Sequence, residues 1–248
     1  MIERRTHRDV TVLTLENGRA NALTVDLLHA LRDALDREAD DPARGLVLTG
    51  AGSMFCAGLD LLALENADHD DVLTLGTALS ETVETLFRHP RPTVAAINGH
   101  AIAGGALLAL ACDRRFVAAG AARFGLTEAQ LGLIVPPSIV EMLRHPLPRP
   151  ALEHLLYSGA TIEADEAVRR GVVEATVEAE ALIEHAAAAV AEWSPNVHAF
   201  ADVKRRLHAP VLASMRTARA DDVAFVDRWF ADDAQAALGE QIQRLRSR

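Results

Sequence analysis

Lysine is almost missing from this 248-residue chain: Lys204 is the only one, and every other basic side chain is arginine. That bias reads as a compositional habit of the source genome rather than as function. Acidic residues outnumber basic ones and give a formal charge of −10, which argues against non-specific binding to nucleic acid or to an anionic membrane. Only two cysteines occur, Cys56 and Cys112, in separate motifs, so no disulfide framework is implied. No apolar run approaches the length that spans a bilayer. The opening stretch Met1–Val10 mixes arginines with acids and leads into no apolar signal core, so it reads as a first strand rather than a targeting peptide. A soluble cytoplasmic protein is the expectation. No His/Cys spacing suggests zinc, and Asp68-His69-Asp70-Asp71 reads as a solvated loop and helix start rather than a metal site. No metal is expected.

Aromatic residues make up only 4% of the chain, yet half of it is apolar and 24% is charged. This composition suits an ordinary packed core. The length fits one α/β domain with an appended helical part. Val10–Leu15 alternates like a half-buried strand. Thr24 can cap a helix running to about Ala39, with Leu27, Leu28, Leu31 and Leu35 on one face; Asp40-Asp41-Pro42 stops it. Leu46–Thr49 predicts a strand, Asp60–Glu65 a short helix, and Asp70–Arg88 a long amphipathic one. Strands at Thr93–Ile97 and Arg115–Ala118 flank a small-residue helix, Gly104–Cys112. Such alternation predicts an α/β core of repeated units. From Pro136 onward nearly everything reads helical, apart from a short strand near Val172–Ala175. Ser194-Pro195-Asn196 marks the boundary between residues 1–195 and a helical region, 196–248, with Pro195 opening the new helix. Phe225, Val226, Trp229 and Phe230 there read as an apolar surface; Trp229 and Phe230 either close a ligand pocket or pack between subunits, and subunit packing is the better reading.

Three stretches carry chemistry: Gly50–Leu61, Asn98–Leu108 and Phe124–Gly132. Gly104-Gly105 opens a helix after a strand and loop, and unpaired N–H groups at a helix start favour anionic oxygen. The Ala57-Gly58 turn after Phe55-Cys56 offers a second amide from another strand end. Two such donors aimed at one carbonyl make an oxyanion hole. Glu128 supplies an acid-base group. His100 reads better as a structural imidazole, Cys56 as packing rather than a nucleophile, and Asp113 as fixing the turn from helix to strand.

Taken in this order, the stretches resemble the crotonase (enoyl-CoA hydratase/isomerase) superfamily. The likeness begins at Arg19-Ala20-Asn21-Ala22-Leu23 and reaches the helix at Phe225–Leu238. It implies an α/β fold, a spiral of ββα units with a C-terminal helical region that builds trimers, either a homotrimer or a dimer of trimers. It also implies a CoA thioester as substrate, so that coenzyme A enters as part of the substrate and not as a cofactor. Carried over by position, Ala57 and Gly104 would donate to the thioester oxygen. Ala20, Ala22, Leu23, Ala57, Gly58, Leu59, Asp60, Gly104 and Leu107 would line the substrate and CoA site.

Hydratases of this family use two glutamates. One matches Glu128; the other position is Leu107, which can neither titrate nor orient water. The loop Leu131–Pro137 also lacks a glycine cluster that the hydratases carry. These features look more like the monofunctional 3,2-enoyl-CoA isomerases of fatty-acid β-oxidation. The alternatives are hydration of a 2-enoyl-CoA, another acyl-CoA lyase reaction such as decarboxylation, and a catalytically silent acyl-CoA-binding protein.

Overall fold

The computed structural model describes residues 1–39, 45–193 and 195–247. Strands β1 (Ile2–His7) and β2 (Val10–Leu15) pair antiparallel. Thr24 then caps α1 (Val25–Ala39), its Oγ1 accepting the Leu27 N–H at 3.2 Å, which satisfies one of the free amides at a helix start. Leu27, Leu28, Leu31 and Leu35 are buried on its inner face. The stop expected at Asp40-Asp41-Pro42 lies outside the described residues.

A strand-strand-helix unit then repeats three times. It comprises β3 (Leu46–Gly50), β4 (Met54–Cys56) and α2 (His69–Phe87), then β5 (Thr93–Ile97), β6 (His100–Ile102) and α3 (Gly104–Ala111). The third has β7 (Arg114–Ala118), β8 (Arg123–Gly125) and, after a 3-10 turn at Glu128–Leu131, α4 (Pro137–Leu143). The longer strand of each unit joins one sheet, ordered β1-β2-β3-β5-β7-β10, and the short strand joins a second, β4-β6-β8-β9. Between them the chain continues through α5 (Arg149–Ser158), β9 (Thr161–Glu163), α6 (Ala164–Arg169), β10 (Ala175–Val177) and α7 (Leu182–Trp193). It ends in α8 (Val197–Ala218), α9 (Val223–Trp229) and α10 (Asp232–Arg246). The result is the crotonase spiral of ββα units. Every residue of β2, β3 and β5 is buried, so β2 is not half-buried as its alternation suggests, because helices or a further layer cover both faces of a largely parallel sheet.

Local predictions failed where side chains or longer-range contacts took over. Asp60–Glu65 forms turns instead of a helix: Asp60 accepts the Ala63 amide on its carboxylate and the Leu64 amide on its carbonyl, each at 3.2 Å, a capping pattern that opens a single turn and is not continued. The strand expected at Val172–Ala175 starts only at Ala175, because the Val172 and Val173 amides return to the Ala167 carbonyl. Ser194 lies outside the described residues. Pro195 does not open α8; Asn196 caps it, accepting the Ala199 N–H at 3.0 Å. Phe225, Val226 and Trp229 are not a surface but a buried cluster with Val72, Leu133 and Leu238. Phe230 alone of that set stays exposed, its ring 6.0 Å from His69.

Asp68-His69-Asp70-Asp71 is a helix start, with Asp68 and Asp71 forming a reciprocal capping box on α2. Asp113 does more than fix a turn. Its Oδ2 accepts from the Thr93 N–H at 2.8 Å, from Thr93 Oγ1 at 3.0 Å and from Lys204 Nζ at 2.8 Å. Both members of that ion pair are buried, so the single lysine ties α8 to the core. Beside it, the His208 ring stacks on Phe87 at 4.0 Å and donates through Nδ1 to the Phe87 carbonyl at 3.0 Å.

Candidate active site

Strand pairing brings the three sequence motifs together. β4 runs parallel to β6, and β6 parallel to β8, so the loops after Cys56, Ile102 and Gly125 leave the second sheet at one end. Carboxyl ends of adjacent parallel strands are where α/β folds gather ligand-binding loops. Two asparagines brace the turn that leads into β4. Asn21, itself fully buried, donates to the carbonyls of Ala51 at 3.0 Å and Met54 at 2.7 Å. Asn98 accepts the Gly50 N–H at 3.1 Å and donates to the Gly52 carbonyl at 2.9 Å.

The first amide donor needs correction. The Ala57 N–H is spent on the Ala20 carbonyl at 3.0 Å and cannot also serve a ligand. The segment 20–23 lies beside 57–60 as a short parallel bridge: Leu23 N–H donates to Gly58 O at 2.7 Å, and Asp60 N–H to Leu23 O at 3.0 Å. In that pattern the amide of the bridged residue, Leu59, faces away from the partner strand. Among the described residues no protein acceptor is found for it, nor for the Gly104 amide at the start of α3. The loops that carry the two amides pack against each other because Gly58 has φ +88° and no side chain; a Cβ there would come within 2.9 Å of Ala103 Cβ and 3.4 Å of Gly104 N. Ala103 holds a positive φ of 51° with ψ −122°, a conformation costly for a residue with a Cβ. Its own amide is anchored on the Gly125 carbonyl at 2.8 Å. The strain sits where Gly104 is aimed.

These amides border a cavity of about 540 Å³. Of the residues expected there, Ala20, Ala22, Ala57, Leu59, Asp60, Gly104 and Leu107 line it, together with Glu128. Leu23 and Gly58 do not: Leu23 is buried against Gly104, and Gly58 is the spacer between the loops. Of the helical part of the remaining wall, only Trp229 was anticipated, and only as the alternative to subunit packing. Leu79 of α2, Phe225 and Trp229 of α9, and Gln241 and Leu245 of α10 all contribute. Apolar helical spacing marks such residues as buried but does not say that they face a cavity.

Glu128 stands at the start of the 3-10 turn. Its Oε2 is sealed from solvent and has no hydrogen-bond partner among the described residues. Burial pushes its carboxyl up to about 7, opposed only in part by its own peptide N–H, because an apolar site disfavours the charged form. Asp60, the other carboxylate on the cavity wall, is half-buried as Glu128 is, but spends an oxygen on the Ala63 amide. Leu107 of α3 is 1% exposed. His100 also lines the cavity, with Nδ1 accepting the Arg123 N–H at 3.0 Å, so a neutral imidazole there carries its proton on Nε2. The Cys56 thiol is fully buried and pushed up to about 12 by desolvation, which leaves it un-ionised and inert.

A family model described as enoyl-CoA hydratase/isomerase matches residues 5–242. The chain belongs to that family. A putative enoyl-CoA hydratase of Thermus thermophilus is 38% identical over 68% of this chain and 70% of its own length. Human mitochondrial enoyl-CoA delta isomerase 1 is 31% identical over 96% of this chain and 80% of its own. The crystal structure of human mitochondrial delta3-delta2-enoyl-CoA isomerase matches with a TM-score of 0.93 at 29% identity, covering 99% of this chain and 98% of that one. The chain is thus an enoyl-CoA hydratase/isomerase-family enzyme, and an acyl-CoA thioester is the substrate consistent with its family. Among the described residues, no helix is long and apolar enough to cross a membrane.

Proposed function

We propose that the enzyme shifts the double bond of a 3-enoyl-CoA to the 2-trans position. The observation that carries this reading is Glu128, whose Oε2 is sealed and without a partner among the described residues, in a cavity whose wall also holds Leu107 of α3. The thioester oxygen sits between the Leu59 and Gly104 amides. Glu128, as carboxylate, takes a proton from C2, and the electron pair delocalises through the dienolate onto the thioester oxygen. The same carboxyl then returns the proton at C4 while the double bond forms between C2 and C3. One acid-base group suffices because both carbons lie on one face of a short planar unit. Two fixed amides in an apolar site stabilise the developing charge without reorganising, and losing one such donor typically costs about 3–4 kcal/mol of barrier.

Leu107 helps to keep water from the dienolate, which favours internal proton return over hydration. Full-length likeness to a human isomerase supports this reading; hydration is the second reading, supported by the relatives named as hydratases. The proposal extends to a role in fatty-acid β-oxidation, to a homotrimer or dimer of trimers in the cytoplasm, and to coenzyme A entering only as part of the substrate. Rates of 3-enoyl-CoA rearrangement and 2-enoyl-CoA hydration, measured side by side on the purified protein, decide between the readings. Faster hydration than rearrangement overturns the isomerase. A folded Leu107→Glu variant with background hydratase activity would show that Leu107 is not the sole determinant.

A further inference from the structure

Gly76 lies in the middle of α2, a helix of 19 residues, where glycine is disfavoured relative to alanine because it loses more conformational freedom. A steric reason is present. An ideal Cβ at Gly76 would lie 3.2 Å from Cδ1 and 3.3 Å from Cε1 of Phe225, tighter than ordinary carbon contacts. Phe225 is 3% exposed and lines the cavity. So does Leu79, three residues beyond Gly76 and on the same side of α2.

The backbone that carries Phe225 is tied down. Asp222, immediately before α9, accepts from Ser80 Oγ of α2 at 3.0 Å, from the Ser138 N–H of α4 at 2.8 Å and from Ser138 Oγ at 2.6 Å. With α9 held by these bonds, a methyl group at position 76 displaces the ring rather than the helix. Gly239 in α10 makes the contrast: an added Cβ there meets nothing within 4 Å.

We propose that Gly76 is a specificity-determining residue for acyl-chain length: its missing side chain lets the Phe225 ring lie back against α2 and so keeps room in the cavity for a longer acyl group. This rests on the acyl-CoA reading above.

The test uses saturated, unreactive acyl-CoA thioesters of rising chain length, with affinity measured by titration calorimetry, so that catalysis is not involved. In Gly76→Ala the longest thioester that the wild type binds should weaken about tenfold or more, the scale of one misplaced methylene in an apolar pocket, while the shortest binds as before. Gly239→Ala should leave the whole profile unchanged. Phe225→Leu should strengthen the longest chains, and in the Gly76→Ala background it should restore their binding. Parallel wild-type and Gly76→Ala profiles overturn the inference. If Gly76→Ala does not fold, Phe225→Leu alone decides, and an unchanged profile overturns it. A wild type that binds none of the thioesters removes the acyl-CoA reading and this inference with it; binding without a chain-length response removes only this inference.

Discussion

Two polar regions are buried in this chain, and they treat charge in opposite ways. In the cavity, Glu128 Oε2 has no partner among the described residues. Behind α3, Asp113 is saturated by Thr93 and Lys204, and the buried Arg115 guanidinium donates to the Val172 carbonyl at 2.9 Å and the Cys112 carbonyl at 2.8 Å. Among the described residues, the unpartnered buried side-chain atom of the second region is His89 Nε2, on an imidazole held neutral: burial, reinforced by the Lys204 charge, pulls it down to about 4. A paired buried charge builds structure, whereas an unpaired carboxyl at the wall of a cavity is available for chemistry. The contrast separates the two roles without reference to sequence.

The largest expected effect breaks the comparison from the cavity side. Glu128→Gln should lower turnover by about 10²–10⁴-fold while acyl-CoA binding persists, as steady-state kinetics and calorimetry would report. Retained turnover would remove Glu128 from the reaction. On the other side, Lys204→Met leaves the Asp113 charge buried with fewer partners and should cost about 3–5 kcal/mol of stability, measured by denaturant unfolding. Combining it with Asp113→Leu should recover part of that loss.

Acidity sharpens the contrast further, because the two regions respond in opposite directions. In the folded chain the Glu128 carboxyl is raised from 4.5 to about 7. The neutral-form stability it contributes is fully present below about pH 4.5 and is lost as pH rises toward 7. Glu128→Gln should therefore become more stable than the wild type across that window, by up to about 3 kcal/mol. The base form needed for proton abstraction appears over the same range, so kcat/KM should rise as pH passes through about 7. His89 and His208 are lowered from 6.5 to about 4, each chiefly by burial and then by the nearby Lys204 charge. Their contribution is present above pH 6.5 and is lost as pH falls toward 4. Thermal unfolding of the wild type and Glu128→Gln across pH 4–8 would show both limbs; coincident curves would remove the carboxyl's share. The smallest effect concerns the helix that carries Lys204: Asn196→Ala removes the cap of α8 and should cost about 1 kcal/mol in thermal unfolding, with the activity per folded molecule unchanged.

Much of the frame was legible because its signals are local. Alternation in Val10–Leu15, the apolar stripe of α1 and its Thr24 cap each depend on a few neighbouring residues. The short strands β4, β6 and β8 escaped direct reading because three residues carry no usable period. The family likeness alone implied a second strand in each unit. The proposed amide donor shifts by two residues, from Ala57 to Leu59, for a related reason. Which amide stays free after Cys56 depends on how the distant segment 20–23 pairs with 57–60, and only the three-dimensional register shows that Ala57 is occupied while Leu59 is not. Phe225 and Trp229 were recognisable as apolar anchors, but spacing along α9 does not say whether they face a neighbouring subunit or a cavity in their own chain.

The buried Lys204–Asp113 pair has a practical corollary. The one ε-amine of this sequence is hidden, so reagents or acyltransferases that seek lysine find no target on the native surface. Acylation of Lys204 would occur only when α8 detaches, and its rate would serve as a clock for that opening.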